Sequence, residues 1–245
     1  MQNRYVGDIG DFGKYGMLRF IFGCSNLKLG VNWYLTPDEK GNNDGKFIDY
    51  LLNKNKKRFH GCDNDLYDQL RGIVLSSNRK ISNIQRLKIL HNAKFYTDQI
   101  LPESKNGFNR SNWFKESCEY LKNCDVFFLD PDNGIETKSC TRKKLPKYVL
   151  IDEIEKYYKY GKSLIIYQHL DMKPNEERLK RYKEIKSLLF AERIFYLRYH
   201  RQSARDYIFI LQQKHYDKIK KRVNEFLNCP WGAASKSPHF TYHDL

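Results

Sequence analysis

The chain has 245 residues, with 44 Lys and Arg against 29 Asp and Glu, a formal charge of +15 and a pI near 9.4. Hydrophobic residues make up 40% and aromatics 15%, which allows a sizeable core and argues against disorder. No apolar run approaches the roughly 18 residues of a membrane span, and the N-terminus is polar and charged rather than signal-like.

A cytoplasmic protein with no membrane contact is therefore expected. The six cysteines (Cys24, Cys62, Cys118, Cys124, Cys140 and Cys229) form no CxxC pair, so free thiols are expected and a zinc site is not. The basic surplus is interleaved with 18 Tyr and 15 Phe, a pattern that suits DNA or RNA as partner. A lysine-rich but merely soluble surface is the plainer reading of the same charge.

Residues 4–16, RYVGDIGDFGKYG, hold Gly7, Gly10, Gly13 and Gly16, too many glycines for a stable helix interior. The expectation is a loop lining a pocket, with Gly10 and Asp11 toward a cofactor and Lys14 and Tyr15 toward substrate or cofactor; the plainer reading is a lead-in packed tightly under the following helix. A helix is expected to start at Met17. Val31–Leu35 reads as a strand, followed by an acidic loop carrying Asp38, Glu39 and Asp44, then by a helix over Phe47–Leu52. A basic run covers 53–60, and a short strand is expected near Phe59–Cys62. Asp63, Asp65 and Asp68 mark a helix start. An amphipathic stretch covers 81–91, Ala93–Thr97 reads as a strand, and a helix carries Arg110 and Trp113. Arg110 is a candidate phosphate contact, and Trp113 a core residue.

Val126–Leu129 is an uninterrupted apolar run, the pattern of a strand buried on both faces of a parallel sheet. It stops at Asp130-Pro131-Asp132-Asn133-Gly134, where Pro131 cannot join a ladder and Asn133-Gly134 favours a turn. Carboxylates just past the carboxyl end of a central strand sit where open α/β sheets bind ligands. Tyr148–Tyr160 has helical spacing and ends at Gly161. Ser163–Tyr167 is a second buried strand, which brings His169 to the same sheet edge as Asp130. Glu176–Phe190 is a charged helix, and Arg193–Tyr199 with Asp206–Gln212 forms a hairpin made cationic by Arg198, His200, Arg201 and Arg205, whose arginines are candidate substrate contacts. Residues 213–245 are a helix and an irregular aromatic tail, and 1–30 the glycine-rich lead-in with its helix. Nothing divides the chain, so one domain over 1–245 is expected. It would be Rossmann-like α/β, with a mostly parallel central sheet, helices on both faces and an antiparallel C-terminal strand hairpin.

Parallel strands linked by helices and closed by a reversed C-terminal strand resemble the class I S-adenosylmethionine methyltransferase superfamily. Leu129-Asp130-Pro131-Asp132-Asn133 resembles the [D/N]-P-P-[Y/F] loop of enzymes that methylate base amines. Gly10, Asp11 and Lys14 partly match the glycine-rich segment that precedes the first strand of bacterial rRNA adenine-N6 methyltransferases. The resemblance implies that Asp130 and the Pro131 carbonyl accept from an exocyclic amine, with Asp38 or Glu39 near the cofactor. It also implies a base flipped out or presented unpaired. The chain departs from the pattern at Asp132, in place of the second proline, at Asn133, in place of the stacking aromatic, and in a first loop without a glycine-rich cradle.

Two other readings use the same residues. Asp130, Asp132 and His169 are ingredients of hydrolysis, either as a base-excising glycosylase or as a Mg²⁺-dependent nuclease, activities suited to phage defence. The third reading is a non-catalytic nucleic-acid-binding module.

Overall fold

The computed structural model describes residues 1–39, 45–52, 56–102, 107–170, 175–232 and 237–245. Asp44, Asp171 and the first residues of the basic run at 53–60 lie outside them. A seven-stranded sheet has the order β2 (Lys94–Tyr96), β1 (Leu29–Asn32), β3 (Val126–Leu129), β6 (Ser163–His169), β8 (Arg205–Leu211), β7 (Arg193–Tyr199), β9 (Phe240–Asp244). Four of its strands are parallel: β1, β2, β3 and β6. Beyond them β8 runs antiparallel to β6, then β7 and β9 follow, each antiparallel to its neighbour. A separate two-stranded ladder joins β4 (Gly134–Ile135) to β5 (Tyr148–Val149).

Helices cover both faces. On one face pack α1 (Ile9–Phe22), α2 (Lys56–His60), α3 (Asn64–Leu75), α4 (Ile81–Arg86) and α8 (Gln213–Leu227). On the other pack α5 (Arg110–Leu121), α6 (Ile151–Lys159) and α7 (Asn175–Leu188). The Rossmann-like layout expected from the sequence is present, as is the β7–β8 hairpin. Strand β3 alternates between the two cores, Val126 and Phe128 on the α1 side and Phe127 and Leu129 on the α6 side. That two-sided burial is why its sequence is apolar without interruption.

The largest departure from the sequence expectation is α1, which begins at Ile9 and not at Met17. A methyl group at Gly13 would lie 2.5 Å from the Tyr199 ring, and one at Gly16 would lie 2.2 Å from Trp231. The glycines let α1 press against the sheet and the C-terminal segment, and this packing outweighs their poor helix propensity. Asp8 caps the helix, its Oδ1 accepting from the Asp11 N–H at 2.9 Å, and thereby satisfies an otherwise orphaned donor.

Smaller corrections have similar causes. The first strand is Leu29–Asn32, so Trp33 and Tyr34 lie just past its end. The stretch from Phe47 holds only one 3-10 turn, Asp49–Leu51. Phe59 belongs to α2 and not to a strand; its ring packs on Phe12 and Tyr50, an anchorage that local pattern does not reveal. The aromatic tail is not irregular, because β9 pairs with β7 from Phe195 to Tyr199 and covers what would be an exposed sheet edge. Among the described residues no helix is long and apolar enough to cross a membrane.

Candidate functional site: a buried carboxylate cavity

Sheet alternation builds the site. Side chains two residues apart on a strand share a face, so Asp130 follows Phe128, His169 follows Tyr167, and Tyr207 follows Arg205 on the α1 side. The register sets the neighbours, with Leu129 beside Ile166 and Tyr167 beside Tyr207. The N-cap and first two turns of α1 lie over this edge and add Asp8, Gly10, Asp11 and Lys14. Together they line a cavity of about 170 Å³.

Asp130 is only 3% exposed. Its Oδ2 accepts from Lys14 Nζ at 2.8 Å, and Lys14 is also 2.7 Å from Asp11 Oδ1. Asp130 Oδ1 accepts no hydrogen bond among the described residues, so one oxygen of the carboxylate remains for a ligand. Burial raises the Asp130 pKa above the ordinary carboxylate range, although Lys14 and the N-terminal ammonium pull it down. Burial raises Asp11 likewise, against the pull of Lys14. Burial disfavours the Lys14 cation, but Asp11 and Asp130 more than offset this and hold its pKa well above normal. Lys14 is therefore a fixed cation and not a nucleophilic amine.

Asp132 lines the same cavity in a different state. Its Oδ1 is 2.7 Å from the N-terminal ammonium, and its Oδ2 accepts from Gln2 Nε2 at 2.6 Å and Thr36 Oγ1 at 3.3 Å. Burial would raise its pKa, yet the ammonium and the Gln2 hydrogen bond hold it below the ordinary range. The expectation of two reactive carboxylates is corrected here: Asp132 is a structural anchor, and Asp130 is the available acid. The ammonium also donates to the carbonyls of Trp33, Tyr34 and Asp130, at 3.2, 3.1 and 3.1 Å. Met1 and Gln2 thus occupy the carboxyl ends of β1 and β3.

Asn133 and His169 both line the cavity, as the shared sheet edge predicts. Gln168 ties the turn down, its Oε1 accepting from the Ile135 N–H at 2.9 Å and its Nε2 donating to the Asn133 carbonyl at 3.2 Å. Tyr167 Oη lies 3.4 Å from His169 Nδ1. Arg205 lies over the start of α1, where a methyl at Gly10 would fall 1.5 Å from its Nη1. Its Nε and Nη2 donate to the Ser203 carbonyl at 3.2 and 3.0 Å. The Tyr207 hydroxyl is buried with no hydrogen-bond partner among the described residues, an unsatisfied polar group that a bound ligand could relieve.

Six other expected site residues lie elsewhere. Tyr15 is in the core, its ring edge-on to Trp33. Asp38 and Glu39 engage Arg4, with Lys147 also on Glu39, outside the cavity. Arg110 is buried in a bidentate pair with Glu153 at 2.7 and 2.9 Å, on the opposite face. It also donates to the carbonyls of Leu145 and Tyr148, so it is a structural clamp and not a phosphate contact. Arg198 faces the α7 side, where it pairs with Asp206 at 2.8 and 3.0 Å. Arg201 does not line the cavity; its Nε donates to His239 Nδ1 at 3.1 Å. Sequence reasoning missed Tyr167 and Tyr207, although each sits two residues from a named site residue and so shares its face.

The donor set does not suit a metal, because Lys14 stands between Asp11 and Asp130 and the ammonium holds Asp132. Among the described residues no cluster of three or more His, Cys, Asp or Glu could hold an ion. Comparison of the chain with protein-family models and with curated proteins finds no match.

Proposed function

We propose that the protein is a hydrolase that excises a base from nucleic acid, with Asp130 as its acid–base group. The observation that carries this reading is a buried carboxyl of raised pKa, one oxygen held by Lys14 and the other open to a small cavity. A carboxyl tuned toward neutrality by burial is what proton transfer at moderate pH requires. A volume of about 170 Å³ lies below the roughly 300–1,000 Å³ of sites for drug-sized ligands, which suits one flipped base. Tyr167 and Tyr207 line the cavity, the Tyr207 hydroxyl without a partner among the described residues, and His169 stands at the same edge. In the reaction, water adds its hydroxyl to C1′ as the bond from C1′ to the base nitrogen breaks. The water proton passes to Asp130 and from there to the departing nitrogen. Lys14 keeps Asp130 in place and favours its ionised form before attack.

S-adenosylmethionine fits this arrangement less well. Met1 and Gln2 fill the strand ends where the resemblance would seat it. Methyl transfer stands as the second reading because β8 runs antiparallel beside β6, the layout on which that resemblance rests.

The test incubates single-stranded DNA and RNA oligonucleotides with the protein and measures free base by chromatography. Base release that falls at least about a hundredfold in Asp130→Asn supports the reading. No release from any oligonucleotide, together with a melting temperature raised by S-adenosylmethionine, would replace it with the second.

A further inference from the structure

The cavity is a poor trap for phosphate. Four carboxylates (Asp8, Asp11, Asp130 and Asp132) line it against Lys14, Arg205 and the N-terminal ammonium. A nucleic-acid substrate, the class assumed by the hydrolytic reading, must place its backbone outside.

Directly beside the cavity lies a second depression of about 230 Å³, lined by Arg58 and Arg201 together with Gln202 and Phe47. Phe47 also lines the Asp130 cavity, so the two spaces share this residue. Phe47 is 46% exposed, an unusual state for a phenylalanine placed between two concave sites. Neither arginine is paired with a carboxylate among the described residues. Arg201 instead donates to neutral acceptors, His239 Nδ1 and the Ser237 carbonyl and hydroxyl. The two guanidinium groups repel one another strongly enough that, after burial, Arg58 is the main influence lowering the Arg201 pKa. Burial and the same two cations push the His239 pKa down to about 3, leaving that ring a neutral acceptor. Asp49 is the one carboxylate among the lining residues.

We infer that this groove is a backbone subsite for a single-stranded nucleic acid, in which Arg58 and Arg201 take a phosphate and Phe47 stacks one base beside the Asp130 cavity. Uncompensated guanidinium groups are suited to phosphate oxygens. An exposed ring next to a cationic groove is how unpaired strands are gripped without sequence preference. The strand would run from the groove over Phe47, with the neighbouring base turned into the cavity.

The probe is a short fluorescent single strand, as DNA and as RNA of one sequence, titrated at several salt concentrations. All proteins carry Asp130→Asn, so that binding is read without turnover. Arg58→Glu, an exposed change, should weaken binding by about tenfold or more and reduce the salt slope by roughly 0.7 for each lost contact. Phe47→Ala should weaken it at least about fivefold with the slope unchanged. Lys183→Glu on α7, across the sheet, should change neither. Equal losses for Arg58→Glu and Lys183→Glu, or no loss for Arg58→Glu, would overturn the subsite. Should the groove variants behave as stated while the chain with Asp130 intact releases no base from the same strands, the subsite stands and the hydrolytic reading falls. Base release combined with unaltered binding by Arg58→Glu would keep the hydrolytic reading and remove the subsite.

Discussion

Lys14 Nζ lies 2.8 Å from Asp130 Oδ2, both side chains at most 5% exposed, joining the first turns of α1 to the end of β3. The contact spans 116 residues of chain and binds the cap of the cavity to its floor. Removing one partner of a buried pair leaves an uncompensated charge, at a cost of about 3–5 kcal/mol. Lys14→Met should lose that much stability in urea denaturation, since both Asp11 and Asp130 would be left without their cation. A loss below about 1 kcal/mol would mean that the pair is solvated in solution.

If Asp130 is the acid–base group of the proposed hydrolysis, the same contact sets its pH profile. Asp130 must be ionised to take the water proton, so kcat/KM should rise with pH through its pKa. That acid limb should lie above the roughly 3.9 of an ordinary aspartate, because burial raises the group. Lys14 pulls the value down, so Lys14→Met should move the limb further up in whatever fraction remains folded. A limb that stays in place would separate Lys14 from the chemistry.

Asp132 makes the opposite contribution to stability. Its folded pKa is depressed, so its stabilisation is fully present above the unfolded value of roughly 3.9 and is lost as pH falls through the folded pKa. The stability gap between the unaltered chain and Asp132→Asn should be constant above about pH 4.5 and close below pH 3.9. Asp130 and Asp11 have raised values and titrate with the reverse sign, favouring the folded state as they take protons. A gap that widens on acidification would contradict the ammonium contact.

Glycine-to-alanine changes should divide by contact and not by helix propensity. Gly13→Ala and Gly16→Ala drive a methyl into Tyr199 and Trp231, and overpacking of this kind costs about 1–3 kcal/mol. Gly72→Ala in α3 meets nothing within 4 Å and should stabilise by about 0.4–1 kcal/mol. Thermal unfolding of the three variants decides the matter, and a stabilising Gly13→Ala would remove the close approach of α1 to the sheet.

Arg110 offers a check on the groove. Arg110→Ala should destabilise by about 3–5 kcal/mol, because it strands Glu153 on the buried face. Among molecules still folded it should leave the salt slope of oligonucleotide binding unchanged. A reduced slope would make Arg110 a candidate contact of the proposed nucleic-acid subsite again.

Local pattern in the chain was enough to find the four parallel strands, the first of them displaced by two or three residues, the β7–β8 hairpin and the sheet edge that holds Asp130 and His169. Apolar runs and Gly, Pro and Asn stops record burial on two faces and a forced turn, and these are properties of neighbouring residues. The sequence groups the hairpin arginines together, and only the register separates Arg205 from Arg198, which sit opposite Tyr199 and Asp206 and so fall on opposite faces. Only the assembled structure decided which charges are spent. Arg110 meets Glu153 across 43 residues, and Asp132 meets Met1 and Gln2 across about 130. Ion pairing over such separations depends on how the helices and turns dock, and neither composition nor spacing encodes it. The glycines of α1 follow the same logic, since their helix exists because of what lies against it.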